Sequence, residues 1–234
     1  MKFRPFCAVP AMLAFLAPAS AVAAEKRYAI SDFDRVQVFG PFNVTIQPGR
    51  ATSVTATGDL QALDIVSVTS SGGILTIQTL TRARSSWKEE PHPAAKILVV
   101  LPQLKGVRLL GSGSVAVAEL RGIATNITLN GGGLISIAKL TSDAADVYLS
   151  GSGRISLGGS AKNISIKVSG SGDIDSSMLS ASDLKIESGT SGRVVAKALR
   201  TADIKQTGPG EVHVNGSPSC LVENSGAGTV DCGR

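Results

Sequence analysis

A Gly-x-Gly element recurs through the second half of the chain at a spacing near twenty residues, and no other feature constrains the fold as much. It reads Gly111-Ser112-Gly113, Gly131-Gly132-Gly133, Gly151-Ser152-Gly153 and Gly170-Ser171-Gly172. It continues as Thr190-Ser191-Gly192, Gly208-Pro209-Gly210 and Gly226-Ala227-Gly228. The second glycines, at 113, 133, 153, 172, 192, 210 and 228, lie 20, 20, 19, 20, 18 and 18 residues apart. Aligning on them brings out columns. Two positions later stand Val115, Ile135, Ile155, Ile174, Val194, Val212 and Val230. Six positions earlier stand Val107, Ile127, Val147, Ile166, Ile186, Ile204 and Val222. Four earlier come Leu109, Leu129, Leu149 and Val168, then Ser188, Gln206 and Asn224. The columns sit at even offsets with mostly polar residues between them, which is the alternation of a strand with one buried face.

A unit this short cannot bury its own apolar face, so copies must stack until equivalent residues lie above one another. Each repeat then reads as strand, glycine corner, strand and a short polar return. Parallel strands stack about 4.8 Å apart, so six intervals make a column about 29 Å long. A propeller blade needs about 40 residues, and an antiparallel meander gives like residues no reason to stack. Only 4% of the chain is aromatic, which suits narrow coils filled by Val, Ile and Leu. The expectation is an all-β, single-stranded parallel β-helix with corners at Gly111, Gly113, Gly131, Gly133, Gly151, Gly153, Gly170, Gly172, Gly192, Gly210 and Gly228. Glycine suits a sharp corner through its positive φ and through the space a missing Cβ leaves for a stacked backbone. The serine between the glycines is small, with a hydroxyl able to bond backbone groups locally. A phosphate loop would need a helix after the glycines, and here a strand follows.

Residues 107–234 form this solenoid. Residues 25–106 read as a less regular β module that packs on it or runs into it, with strands at 35–38, 42–46, 53–57, 65–68, 74–77 and 96–101. Residues 1–24 read as a secretory leader: Lys2 and Arg4, an apolar run over 8–16, then Ala21-Val22-Ala23-Ala24. The apolar run is short for a membrane span, and no later stretch qualifies. Removing the leader takes away two basic residues and leaves 21 basic against 18 acidic. No basic stripe interleaved with aromatics remains, which argues against nucleic acid as a partner. Cys220 and Cys232 would be the two cysteines of an exported chain, and an even count there favours a disulfide. Both lie at even offsets from the last glycine, so both are expected to face the core and close the final coil.

The opening Phe33-Asp34-Arg35-Val36, the strand Phe42-Asn43-Val44-Thr45-Ile46, the strand at 96–101 and the repeats from Gly111-Ser112-Gly113 onward together resemble the head GIN domain family of bacterial autotransporter adhesins. The likeness covers roughly residues 30–232. It implies a β-solenoid similar in shape to pectin lyases, a role at the cell surface or in the periplasm, and no agreed catalytic residues.

Chemistry is sparse. His92 and His213 are the only histidines, and neither has the company a metal site requires; no cofactor is expected. Asp173 and Asp175 share the outward face after one corner, about 7 Å apart along the strand. They are the best carboxylate pair for a polysaccharide-active enzyme, although a solvated polar face is the preferred account, since single charges outside a sheet are ordinary. The polar segment around Trp87, Lys88 and His92 carries the only tryptophan, and loops on rigid scaffolds often carry recognition. The reading is therefore a non-catalytic, adhesion-type binding protein of the bacterial envelope, exported to the periplasm or surface, whose partner is an envelope glycan or protein. A β-helix enzyme and a structural or envelope-homeostasis factor bound to another protein are the alternatives.

Overall fold

The computed structural model describes residues 24–80 and 95–233, so the expected leader up to residue 23 lies outside the described residues. The elements are β1 (Ala24–Tyr28), β2 (Arg35–Phe39), β3 (Asn43–Pro48), β4 (Ser53–Gly58), α1 (Leu60–Asp64), β5 (Val66–Ser71), β6 (Ile74–Thr79), β7 (Lys96–Leu101) and β8 (Gly106–Leu110). They continue with β9 (Ser114–Gly131), β10 (Leu134–Gly151), β11 (Arg154–Gly170), β12 (Asp173–Thr190), β13 (Arg193–Gln206), β14 (Glu211–Asn215), β15 (Ser219–Asn224) and β16 (Thr229–Cys232). From β8 onward the chain winds as a parallel β-solenoid. Ile135 lies between Val115 and Ile155, and Val147 between Ile127 and Ile166. The columns read from the sequence are the inner columns of the coil, buried down to Ile204 and Val214.

Close approach of stacked backbones excludes a side chain at both glycines of most corners, and at Gly111, Gly131, Gly151 and Gly170 a positive φ adds a second reason. Gly131 has φ +122°, while Gly133 does not lie in the left-handed region. A Cβ on Gly133 would stand 2.6 Å from the carbonyl oxygen of Gly113 and 2.7 Å from a methyl of Leu109. The first glycine also lies close to the turn beneath, a Cβ on Gly131 standing 2.5 Å from Gly111 O, so both places let consecutive turns lie on one another. Backbone hydrogen bonds then run through the corner, from the N–H of Gly153 to Gly131 O (2.9 Å) and from that of Arg154 to Gly133 O (3.0 Å). At residue 190 a threonine takes the first place: its side chain turns inward, donates to Gly172 O (3.0 Å) and accepts from the N–H of Gly192 (2.9 Å).

The segment expected to be a polar return is itself strand. Strands β9 to β12 run 17 or 18 residues each, and they bury Leu120, Leu140 and Leu179 seven places after the second glycine. A further inner column of Thr125, Ala145, Ile164, Leu184 and Ala202 follows. Register shifts between Ile137 and Leu140, and between Ser156 and Gly158, mark where the coil bends. The bend changes the parity of inward positions.

The strands before residue 106 extend the solenoid. Strand β2 pairs in parallel with both β8 and β6, and β3 with both β9 and β7. The pair β2–β3, joined through Gly40 and Pro41, is thus one rung, and β6–β7 is the next. Beyond it the parallel stack stops: β4 lies antiparallel on β7, β5 antiparallel on β6 and β1 antiparallel on β4. Helix α1 buries Ala62 and Leu63. These elements cover the N-terminal end of the core, as an open solenoid end requires. Strand β1 has no counterpart among the strands expected from sequence.

At the C-terminal end Cys220 and Cys232 form a disulfide, their Cα atoms 6.4 Å apart. Cys220 continues the column of Ala202, and Cys232 that of Val214, so the bridge crosses the interior of the last coil. Both cysteines continue inner columns as expected, but Cys220 is exposed and Cys232 half-buried, because among the described residues no coil covers them.

Gly153→Ala is expected to destabilise the fold by about 1–3 kcal/mol, since the added methyl would meet Gly133 O at 2.5 Å. Gly132→Ala, whose methyl meets nothing nearer than Ser152 Oγ at 3.5 Å, should leave the urea midpoint unchanged. Reducing the disulfide, which closes a separation of 12 residues, removes about 3 kcal/mol of chain-entropy restraint. Because each rung contacts only its neighbours, hydrogen exchange should then quicken at residues 219–232 and stay slow at residues 127–149.

Candidate functional site

Trp87, Lys88 and His92 lie outside the described residues. The structure does fix what they connect. Residues 80–95 join β6 to β7, and those strands stack in register on β2 and β3. In every later rung the equivalent join is a three-residue corner. The corners line up as a ridge down one edge of the solenoid, and the strands that flank residues 80–95 form the rung at its capped end.

The ridge is small and polar because the corner geometry leaves room for little else. Its outermost places are Ser112, Gly132, Ser152, Ser171, Ser191 and Pro209, all exposed. The bonds that hold the corner are backbone ones, such as the N–H of Ser152 to Gly131 O (3.2 Å) and that of Ser171 to Gly151 O (2.9 Å). Ser152, Ser171 and Ser191 thus lie exposed on three consecutive rungs, about 4.8 Å apart, and Ser112 stands two rungs from Ser152 across Gly132.

The strand face after the corners carries the carboxylates singled out from sequence. In-register stacking places Arg154, Asp173, Arg193 and Glu211 on successive rungs. Their signs alternate: Arg154 Nη2 lies 2.9 Å from Asp173 Oδ2, and Arg193 Nε 3.0 Å from Glu211 Oε2. With Ser156 and Asp175 they line an open depression of about 740 Å³. Arg154 and the backbone N–H of Arg193 hold the Asp173 carboxyl below the usual carboxylate range. Hydrogen bonds from the Ser177 hydroxyl and N–H do the same for Asp175. Both groups are therefore anions at neutral pH. A glycosidase acid needs a carboxyl raised toward neutrality, and this pair is shifted the other way. His213 lies outward, its Nδ1 3.2 Å from Asp231 Oδ2. Among the described residues, no three His, Cys, Asp or Glu side chains converge as metal ligands would.

The face before the corners repeats the alternation. Lys167, Glu187, Lys205 and Glu223 stack in one outer column. Lys167 lies 3.0 Å from Glu187, and Lys205 3.3 Å from Glu223. Such exposed pairs stabilise little; their effect is to keep like charges off adjacent rungs, where they would destabilise pairing. Further up the column stand Arg108, Thr128 and Tyr148.

The chain belongs to the family described as putative auto-transporter adhesin, head GIN domain, whose model matches residues 32–218. No curated protein matches it. Among solved structures it is similar to a putative adhesin from Bacteroides fragilis, at a TM-score of 0.80 and 20% identity, covering 91% of this chain and 98% of that one. A putative lipid binding protein from Parabacteroides distasonis is similar at 0.72 and 21% identity, covering 92% of this chain and 98% of that one. A putative adhesin from Parabacteroides merdae follows at 0.66 and 15% identity, with coverage of 92% and 97%. At these identities the likeness establishes the fold, and the family indicates an adhesin-like binding role.

A carboxylate with a lowered folded pKa contributes stability above its unfolded pKa and loses it as the pH falls through the folded one. The advantage of the native chain over Asp175→Asn should accordingly be present at neutral pH and vanish as the pH drops below about 4. Its size at neutral pH should stay under about 1 kcal/mol, because the site is exposed. Urea midpoints across that range check this.

Proposed function

We propose that this protein is an exported, non-catalytic binding module of the cell envelope, acting in the periplasm or at the cell surface, which recognises an envelope glycan or protein along its corner ridge. The observation that carries the reading is the ridge itself: exposed Ser112, Ser152, Ser171 and Ser191 along one edge, in a chain whose 16-residue connection between β6 and β7 bears Trp87, Lys88 and His92. Hydroxyls at fixed intervals suit an extended, hydrogen-bonding ligand. A tryptophan in that connection supplies the flat apolar contact that recognition sites favour. Export is supported by the leader-like first 24 residues and by the disulfide. Two carboxylates that both stay ionised support a non-catalytic role.

The test is a binding screen of the leader-free chain against envelope glycans and envelope extracts, with product analysis of the same samples. Saturable binding without new products is expected. Ser152→Arg with Ser171→Arg, and separately Trp87→Ala, should each weaken binding about tenfold or more, the loss of about 1.4 kcal/mol, without moving the unfolding midpoint. Released oligosaccharide would overturn the reading in favour of an enzyme. Binding that survives both variants would remove the ridge from it. Recovery of one envelope protein whose binding survives both the ridge and the Trp87 variants would favour the structural alternative.

A further inference from the structure

The two ends of the solenoid are built differently. The N-terminal end is covered by β1, β4, β5 and α1. At the other end β15 pairs only with β13, and β16 only with β14. Among the described residues nothing pairs with their outer edges, which present backbone N–H and C=O groups in parallel-sheet order. The last inner column is also bare: Val222 is 44% exposed, while Ile204, one rung earlier in the same column, is fully buried. Val230 is half-buried, and Leu221 beside the edge is 70% exposed. Proteins usually blunt such edges because they recruit other strands.

We propose that this end is a docking edge for an extended strand of a partner protein, apolar where it lies over Val222 and Val230 and basic beside Glu223. The solenoid itself states the rule for the next strand. Each rung repeats its neighbour in parallel register, with Ile204 opposite Val222 and Lys205 opposite Glu223. The outer column Lys167, Glu187, Lys205, Glu223 alternates in sign and ends on an acid, so the place beyond it calls for a cation. Asp231, on the adjoining strand, adds a second acid to the edge. A second copy meeting this end with its own would bring two edges that both end on an acid together, and like charges near one another across strands destabilise pairing. Strand addition of this kind draws affinity from main-chain hydrogen bonds and specificity from alternate side chains.

The probe is a synthetic peptide with the sequence of residues 201–215 of this chain, which in the next rung would place Ile on Val222, Lys beside Glu223 and Val on Val230. The purified chain is used with its disulfide intact. Saturable binding is expected, with slowed amide exchange at residues 219–224 and 229–232. The Lys205→Glu form of the peptide should bind about fivefold more weakly, the loss of one cross-strand charge pair worth about 1 kcal/mol. Glu223→Lys in the protein should reverse that preference. Should Glu223→Lys disturb folding, Glu223→Gln should simply abolish the difference between the two peptides. A scrambled peptide binding equally well, or unchanged exchange at both strands, would overturn the proposal. A concentration-dependent dimer in sedimentation with these amides already protected would also overturn it, assigning the end to a second copy.

Discussion

At Gly133 the backbone of one turn comes so near the turn beneath it that a single methyl would stand 2.6 Å from a carbonyl oxygen. That contact repeats at every corner and fixes the register of the whole molecule. A slip by one residue would put a side chain into the contact and turn each inner column to solvent. Once register is fixed, everything outside the core follows in rows. Serines stack near serines, and charged residues must alternate in sign or repel. The strands that residues 80–95 connect, β6 and β7, form the rung where the corner stack ends. Phe42 occupies a second-glycine place, beneath Gly113, and its side chain is buried there.

What could be read from sequence is what period-two counting reaches. The columns on either side of each glycine run along straight strand, so even offsets find them. Leu120, Leu140 and Leu179 were hidden because the coil bends before them, and an odd offset then points inward. The rungs before residue 106 were hidden for another reason. They stack out of chain order, with β2–β3 lying between β6–β7 and β8–β9, so no fixed period links them to the repeats. The site was legible only in outline. Trp87 was conspicuous as the sole tryptophan, but that β6 and β7 on either side of its segment make up a rung could not be read from the repeats. Asp173 and Asp175 were found on the right face, while the partners that keep both ionised, Arg154 and Ser177, come from an adjacent rung and from the following bend.

The polar inner residues near the C-terminal end are part of the same design. Where Leu109 and Leu129 fill the space behind the corners of earlier rungs, Gln206 donates from its amide to Gly208 O and Gly210 O, each at 3.1 Å. Asn224 repeats the arrangement one rung later, donating to Gly228 O at 2.9 Å. The corner is held there by side-chain hydrogen bonds in place of packing, which suits coils nearer to water. Apolar filling thus gives way to polar bracing and finally to a covalent bridge.

That bridge also decides how the molecule carries a pull. Tension entering at residue 233 reaches Cys232 and crosses through the sulfurs to Cys220, so the eleven residues between them are bypassed and cannot be drawn out. The next backbone to feel the load is the segment joining β14 to β15. The last coil therefore behaves under force as a stapled loop, and a molecule held by its C-terminal side lengthens only when rungs that carry no such staple begin to peel.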